Sequence, residues 1–385
     1  MPLSLAEVRS LLAGYPTPPL VGTVGSHSAI DVADGAVTEG LSSLILAEAG
    51  RDATYARYFR SVRALDGTRK RGCVDDVWTF RKFADIVSPT VQARLRSSGV
   101  VLVPNRAFSS YVPLSEIEDE FRVPIVGSRR LLRIEERSER ENYYTLLEHA
   151  GIATPRKIPG PEAIDRLAIV KLPHATRRLE RGFFTVASPS EYQAKVERLV
   201  ARGTVAPDDL ATARIEEYVL GPVFNFNFFF SPLVPRDQGL ELLGVDERRE
   251  SNLDGLVRLP AAQQLELNDS DRIPEYLVVG HGTLTVRESI LEEVFRMGEK
   301  FVDAAREQYP PGIIGPFCLQ TCIDRSGRPI VFDVAARIGG GTNVHLALGH
   351  PYGNALYRTP MSSGRRVALE IRVASEEGRL AEIVT

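Results

Sequence analysis

Lysine is scarce in this chain. Of its 47 basic side chains only 6 are lysines and 41 are arginines, so each lysine carries more information than usual. Cysteine is also rare, at three: Cys73, Cys318 and Cys322. Their spacing matches no metal-binding pattern, and the last two fall in apolar strand sequence, where a free thiol acts as a small hydrophobe. No apolar run reaches the roughly 20 residues a membrane span needs. No basic-then-apolar leader opens the sequence. The expectation is a cytoplasmic protein with no membrane partner. An excess of basic charge is missing too: the net charge is −3, which argues against nucleic acid as the main partner. No internal repeat, heptad run or low-complexity tail is present.

What remains is an ordinary globular composition, 43% hydrophobic and 25% charged over 385 residues. That length predicts two or three packed domains. The first sharp unit is Leu20 to Val24, a short apolar strand, followed by the turn Gly25-Ser26-His27-Ser28, a helix from Ala29 to Glu39 and a second strand from Leu41 to Ala47. A βαβ unit implies a parallel sheet. A Gly-Ser-His-Ser turn at a strand's carboxyl end sets N–H groups and hydroxyls at a helix N-terminus, where anions bind. Ser26 or Ser28 is also expected to cap the helix, and His27 is too exposed in such a turn for a core role. Further strands are expected at Val74 to Phe80, Val100 to Pro104 and Phe121 to Gly127, with Asn105-Arg106-Ala107-Phe108 as one more carboxyl-end loop. Glu135 to Glu141 is densely charged and reads as a solvated helix face.

After the Pro159-Gly160-Pro161 cluster the character changes. An apolar strand from Leu167 ends on Lys171, placed to reach a phosphate or, alternatively, to snorkel to solvent. The stretch from His174 to Arg181 after it is rich in arginine. Ala213 to Val219 is a strand whose end carries Glu216, Glu217 and Tyr218. Val223 to Phe230 and Leu240 to Asp246 are further strands, and Glu247 to Gly255 is a polar loop containing Asn252. Ser289 to Arg306 is an amphipathic helix. Met361 to Val384 is charged and of mixed character.

The stretch Gly315 to Asn343 reads as two strands around the turn Asp324-Arg325-Ser326-Gly327. Gln320 lies on the first strand and Asp333 on the second, followed by Arg337 and the loop Gly339 to Asn343, which includes Thr342. Mg²⁺ takes one or two protein carboxylates and completes its shell with phosphate oxygens and water, so this set suits a metal held against phosphates. Alone, the stretch equally reads as a hairpin with solvated polar side chains.

A strand-end lysine, a glutamate-bearing strand end and a Gln/Asp pair followed by Arg resemble the ATP-grasp ligases. Ordered segments from Thr23 to Asn343 resemble, more narrowly, the archaeal 5-formaminoimidazole-4-carboxamide ribonucleotide synthetases. They are TVGSHS at Thr23 to Ser28 with Gly50-Arg51-Asp52, GSRRLLR at Gly127 to Arg133, RRESNLDGLVRLPA at Arg248 to Ala261, VRES at Val286 to Ser289, and PPGIIGPFCLQ at Pro310 to Gln320. The resemblance implies an N-terminal α/β domain with a parallel sheet (1–128) followed by an α+β ATP-grasp domain (129–385). It implies formylation of 5-aminoimidazole-4-carboxamide ribonucleotide with ATP and formate, in IMP synthesis. By the same resemblance Ser26, His27, Asn252, Thr342 and Asn343 face the nucleotide. Lys171 with Glu216, Glu217, Tyr218 and Val219 holds ATP, Gln320 and Asp333 hold Mg²⁺ or Mn²⁺, and Arg337 and Lys171 serve catalysis. A homo-oligomer is also implied. Three positions depart from the family's pattern: the arginine-rich 174–181 loop, Ala107 in place of a serine, and Val223 in place of a ribose-binding acid. The residues leave open a ligase for another amine or acid, and a nucleotide-binding protein without catalysis.

Overall fold

The computed structural model describes residues 3–173, 182–268 and 277–385; the arginine-rich loop at 174–181 lies outside them. Three main sheets organise the chain. The first contains β1 (Leu20–Val24), β2 (Ser42–Glu48), β3 (Asp76–Phe80) and β4 (Val100–Val103), all parallel in the order β3-β2-β1-β4. Strands β1 and β4 are apolar almost throughout and buried, as strands covered on both faces must be. The second sheet is antiparallel: β5 (Lys157–Ile158), β6 (Ala168–Lys171), β7 (Phe183–Val186) and β8 (Arg214–Glu217), in the order β5-β8-β6-β7. The third, also antiparallel, runs β11-β10-β9-β12-β13, from β9 (Val223–Phe230), β10 (Leu240–Glu250), β11 (Val278–Leu284), β12 (Gly315–Ile323) and β13 (Pro329–Ala335).

Aromatic packing fixes the third sheet. The Phe228 and Phe317 rings stack at 5.1 Å, and Phe301 of the long helix Leu291–Gln308 stacks on Phe317 at 5.3 Å. That helix buries Val294, Met297, Phe301, Val302 and Ala305 on one face, the 3.6-residue stripe of an amphipathic helix. The C-terminal segment returns to the first sheet. Helix α1 (Ala29–Thr38) and helix α2 (Ser363–Glu376) pack in one cluster with Val21, Val101 and Val126. Their backbones touch: a Cβ on Gly35 would run into the backbone of Gly364 and Arg365, and one on Gly364 into that of Asp31 and Val32.

Four expectations are corrected. Phe121 to Gly127 is no strand: it makes two isolated bridges, Leu102 to Ile125 in parallel and Val126 to Val384 antiparallel. The carbonyls of Phe121 and Val123 accept bonds from the buried Arg129 guanidinium, at 2.5 and 3.2 Å, instead of a ladder. Glu135 to Glu141 forms no helix face: a 3₁₀ turn ends at Glu135 and irregular backbone follows. Strand β10 continues through Glu250, because β11 pairs with Glu247 to Glu250, where a loop is expected. Neither Ser26 nor Ser28 caps α1 through its side chain; the Ser28 hydroxyl is spent elsewhere.

The Gly35–Gly364 crossing tests the packing of the two chain ends. Gly35→Ala is expected to destabilise the protein by about 1–3 kcal/mol through overpacking, read as a lower denaturant midpoint with an unchanged slope. An unchanged midpoint would mean that the helices do not meet in solution.

Candidate active site

The site begins where β1 ends. Asn105, just past β4, donates its side-chain amide to the carbonyls of Val24 at 2.7 Å and His27 at 3.1 Å, and so fixes the turn. Ser28 closes it in the left-handed region at φ 66°. Its hydroxyl donates to the Gly339 carbonyl, and the Asp31 amide donates to Asn343 Oδ1 at 3.2 Å. The glycine loop of the third sheet is thereby docked on the turn of the first. Two of the loop glycines leave little room for a side chain, and the third lies in ordinary contact. A Cβ on Gly339 would stand 2.9 Å from Asn227 Oδ1, one on Gly341 would stand 2.8 Å from Asp246 Cγ, and the His27 ring lies 3.8 Å from the corresponding point on Gly340. Beneath the loop, Asp246 accepts from Asn225 at 2.8 Å and Asn227 at 2.6 Å. Thr342 is fully buried beside Asp31, and Asn343 is exposed.

On the hairpin, Gln320 and Asp333 face each other across β12 and β13, with a bulge directly after Gln320. Asp333 is half-buried. Gln320 is nearly buried and its side-chain oxygen accepts from Arg248. The donor set fits Mg²⁺ or Mn²⁺: two adjacent hard oxygens are what such an ion takes from a protein when phosphates and water complete its shell. Holding the ion through Gln320 requires Arg248 to move aside.

Lys171 is buried rather than snorkelling. Its ammonium is paired with Glu216 and donates to Tyr144 Oη at 2.7 Å and to the Phe332 carbonyl at 3.0 Å. Burial holds its pKa below the ordinary lysine value, against the opposing charge of Glu216. Tyr144 in turn donates to Glu216 at 2.8 Å, and Arg214 lies 3.6 Å over the Tyr144 ring while bonding Glu216 at 2.9 Å. The Glu216 carboxylate therefore serves the lysine. Glu217 accepts from the Arg156 amide at 3.1 Å, the Tyr218 amide donates to the Leu167 carbonyl at 3.0 Å, and the Val219 carbonyl accepts from the Cys322 thiol.

Arg337 donates to Glu135 at 3.0 Å and to the Ile338 carbonyl at 2.8 Å. Glu135 also accepts from the Ala336 amide at 2.9 Å and from Arg106 at 3.4 Å. His27 is solvent-exposed, within electrostatic reach of Arg337 and Arg106. Desolvation, then Arg337 and Arg106, keep its imidazole neutral more firmly than usual. The structure thus brings Ser26, His27, Thr342, Asn343 and Arg337 to one wall, with Asp333 and Lys171 in electrostatic reach of each other. Asn252 lies two residues beyond the end of β10, in a turn at φ 57°. Glu135, Tyr144, Arg106 and Asp246 are not among the expected site residues. Arg106 left a signal in its carboxyl-end loop, and Asp246 one in the alternation of Asn225 and Asn227 through the aromatic strand β9.

Residues 191–385 match a family described as "Domain of unknown function (DUF1297)", and residues 21–158 one described as "Protein of unknown function (DUF1246)". The 5-formaminoimidazole-4-carboxamide-1-(beta)-D-ribofuranosyl 5'-monophosphate synthetase of Methanothermobacter thermautotrophicus is 40% identical, with 98% of each chain covered. That of Methanopyrus kandleri is 40% identical over 100% of both. The chain belongs to this synthetase family. Among solved structures, an IMP biosynthesis protein PurP from Thermococcus kodakaraensis superposes with a TM-score of 0.69 at 27% identity, covering 95% of this chain and 100% of that one. The fold is also shared by N5-carboxyaminoimidazole synthetase from Staphylococcus aureus, crystallised with ADP, at a TM-score of 0.56 and 12% identity, over 86% of this chain and 73% of that one. Within the synthetase family, then, this chain carries Arg106 and Ala107 in the loop that holds the His27 turn.

Asp31 lies under the docked loop, and burial raises its carboxyl to about 6, against the bond it accepts from the Gly364 amide at 2.8 Å. A carboxyl harder to ionise in the folded state contributes stability below its unfolded value of about 4 and loses it as pH rises through the folded value. Asp31→Asn is expected to gain on the order of 2 kcal/mol relative to the parent at about pH 8, with the gain closing near pH 4. Denaturant titrations at both pH values check this; an equal gain at both would refute a raised Asp31.

Proposed function

We propose that the chain is an ATP- and formate-dependent carbon–nitrogen ligase that formylates the exocyclic amine of 5-aminoimidazole-4-carboxamide ribonucleotide, a late step of IMP synthesis. The observation that carries the reading is the docking of the Gly339 to Asn343 loop on the His27 turn. It sets the nucleotide-facing turn of the first sheet beside the metal-type hairpin and the lysine of the other two.

Formate is a poor acylating agent, because its oxygen is a bad leaving group. In the first step a formate oxygen attacks the γ-phosphorus of ATP, the bond from that phosphorus to the bridging oxygen breaks, and ADP leaves. The product is formyl phosphate. In the second step the amine attacks the formyl carbon, the carbon–oxygen bond to phosphate breaks, and the amine loses a proton as inorganic phosphate departs. Lys171 and Arg337 supply positive charge where the transferring group is most anionic. Neutral His27 is suited to orient the nucleotide by hydrogen bonding. Mg²⁺ or Mn²⁺, held by Asp333 and Gln320, would neutralise phosphate charge. Closing the site over the substrates would protect formyl phosphate from water. The order of parts is an α/β domain (1–128) carrying the His27 turn and an α+β ATP-grasp domain (129–385) carrying the rest. A cytoplasmic homo-oligomer completes the reading.

Incubation with ATP, Mg²⁺, formate and the aminoimidazole ribonucleotide is expected to release ADP only when all four are present. ADP release that ignores formate or the nucleotide would refute the assignment. Asp333→Asn is expected to lower turnover by about a hundredfold or more and to weaken Mn²⁺ binding, with the melting temperature little changed. Equal losses of turnover and stability would make Asp333 a structural residue.

A further inference from the structure

We infer that Arg106 and Arg337, tied together by Glu135, form the pocket that takes the carboxylate of the acid substrate. The inference rests on the ligase reading above and adds to it a residue that the first sheet contributes.

Three elements meet there. Arg106 opens the short helix Arg106–Tyr111, directly after the Asn105 that fixes the His27 turn. Glu135 ends the 3₁₀ turn Arg129–Glu135, and Arg337 follows β13. One buried carboxylate, Glu135, accepts from both guanidiniums. Glu136, at 3.0 Å from Arg106, supplies a second carboxylate, so the two cations are balanced by two anions; what the cluster leaves over is guanidinium donors. Burial works against the charge on Arg106, yet Glu135 and Glu136 outweigh it and raise its pKa, so the guanidinium stays charged at any working pH.

The donors are not used up. Arg337 is 8% exposed, and its Nε–H has no acceptor among the described residues. A buried donor without a partner costs free energy that an anion would recover. Arg106 keeps 36% of its side chain exposed, so part of its fork still faces solvent. Both guanidiniums act on His27, and Asp333 acts on Arg106. Arg106 follows the Asn105 that bonds the His27 carbonyl, and Arg337 follows the strand that carries Asp333, so the pair joins the nucleotide-facing turn to the metal-type hairpin. The proposed chemistry needs the small acid at that place, with one oxygen toward the γ-phosphorus and its carbon toward the amine. A planar guanidinium fork matches a carboxylate in shape and charge. It would fix the carboxylate for attack and then balance the charge of the acyl phosphate.

The test is Arg106→Leu beside Arg106→Lys, in the full-length protein. For the leucine variant, KM for formate is expected to rise about tenfold or more, with KM for ATP and for the nucleotide within about twofold of the parent. Lysine restores charge without the fork and is expected to recover part of the loss. A change confined to the nucleotide KM, or no change in the formate KM, overturns the inference and leaves Arg106 as an inter-element ion pair. A melting curve separates misfolding from lost binding. Line broadening of ¹³C-formate by the protein with ADP and Mg²⁺ needs no turnover. Broadening that vanishes in Arg106→Leu supports the pocket even if formate-dependent ADP release fails and sinks the ligase reading. No broadening by the parent, or equal broadening by the variant, overturns the pocket whatever the assay shows.

Discussion

The cleft exists because two distant backbones can touch. The Gly25 to Ser28 turn and the Gly339 to Asn343 loop are more than 300 residues apart, yet they exchange hydrogen bonds through Ser28 and Asn343. Behind them α1 and α2 cross with Gly35 against Gly364. Both contacts depend on missing side chains. A methyl group at Gly339 or Gly341 would press on Asn227 or Asp246, so the loop lies flat only over a floor of short polar side chains. The seam sets the His27 ring near Gly340 and joins the β1 turn to the hairpin from which Arg337 and the glycine loop extend.

Around the seam, charge is arranged in shared pairs. Glu135 serves two arginines, Glu216 serves Lys171 and Arg214, and Asp246 is held by two asparagines. Buried charges are tolerated only when paired and hydrogen-bonded, which this interlocking provides. The arginine-heavy composition has a physical result here. Guanidiniums do not lose their protons in water at accessible pH, so the charge pattern of the cleft is fixed. Its response to pH is left to a few groups such as His27 and Asp31.

Much of this was legible in the sequence, for reasons that differ by element. The β1 turn and the Gln320–Asp333 hairpin are local patterns, set by strand alternation and turn chemistry, and the structure keeps both. Lys171 was legible because lysine is so rare. Elements that depend on distant partners were not. Phe121 to Gly127 has strand composition, but Arg129 captures its carbonyls. The extension of β10 to Glu250 depends on β11, whose glycines and histidine hide its strand character. Glu135 was hidden for the same reason: within its own segment it is one charge among many. Only the fold brings Arg106 and Arg337 to it.

The lysine illustrates what a saturated site does to its ligands. All three ammonium protons of Lys171 have partners on Glu216, Tyr144 and Phe332, and an ammonium has no fourth to offer. A newcomer must displace one of these bonds before it gains its own. A lone small anion recovers little from that exchange. On the proposed assignment, a nucleotide anchored elsewhere by its base and ribose would bring its phosphates at high local concentration and complete the exchange. The closed ring around the ammonium would then act as a threshold, excluding stray anions by the cost of exchange rather than by shape.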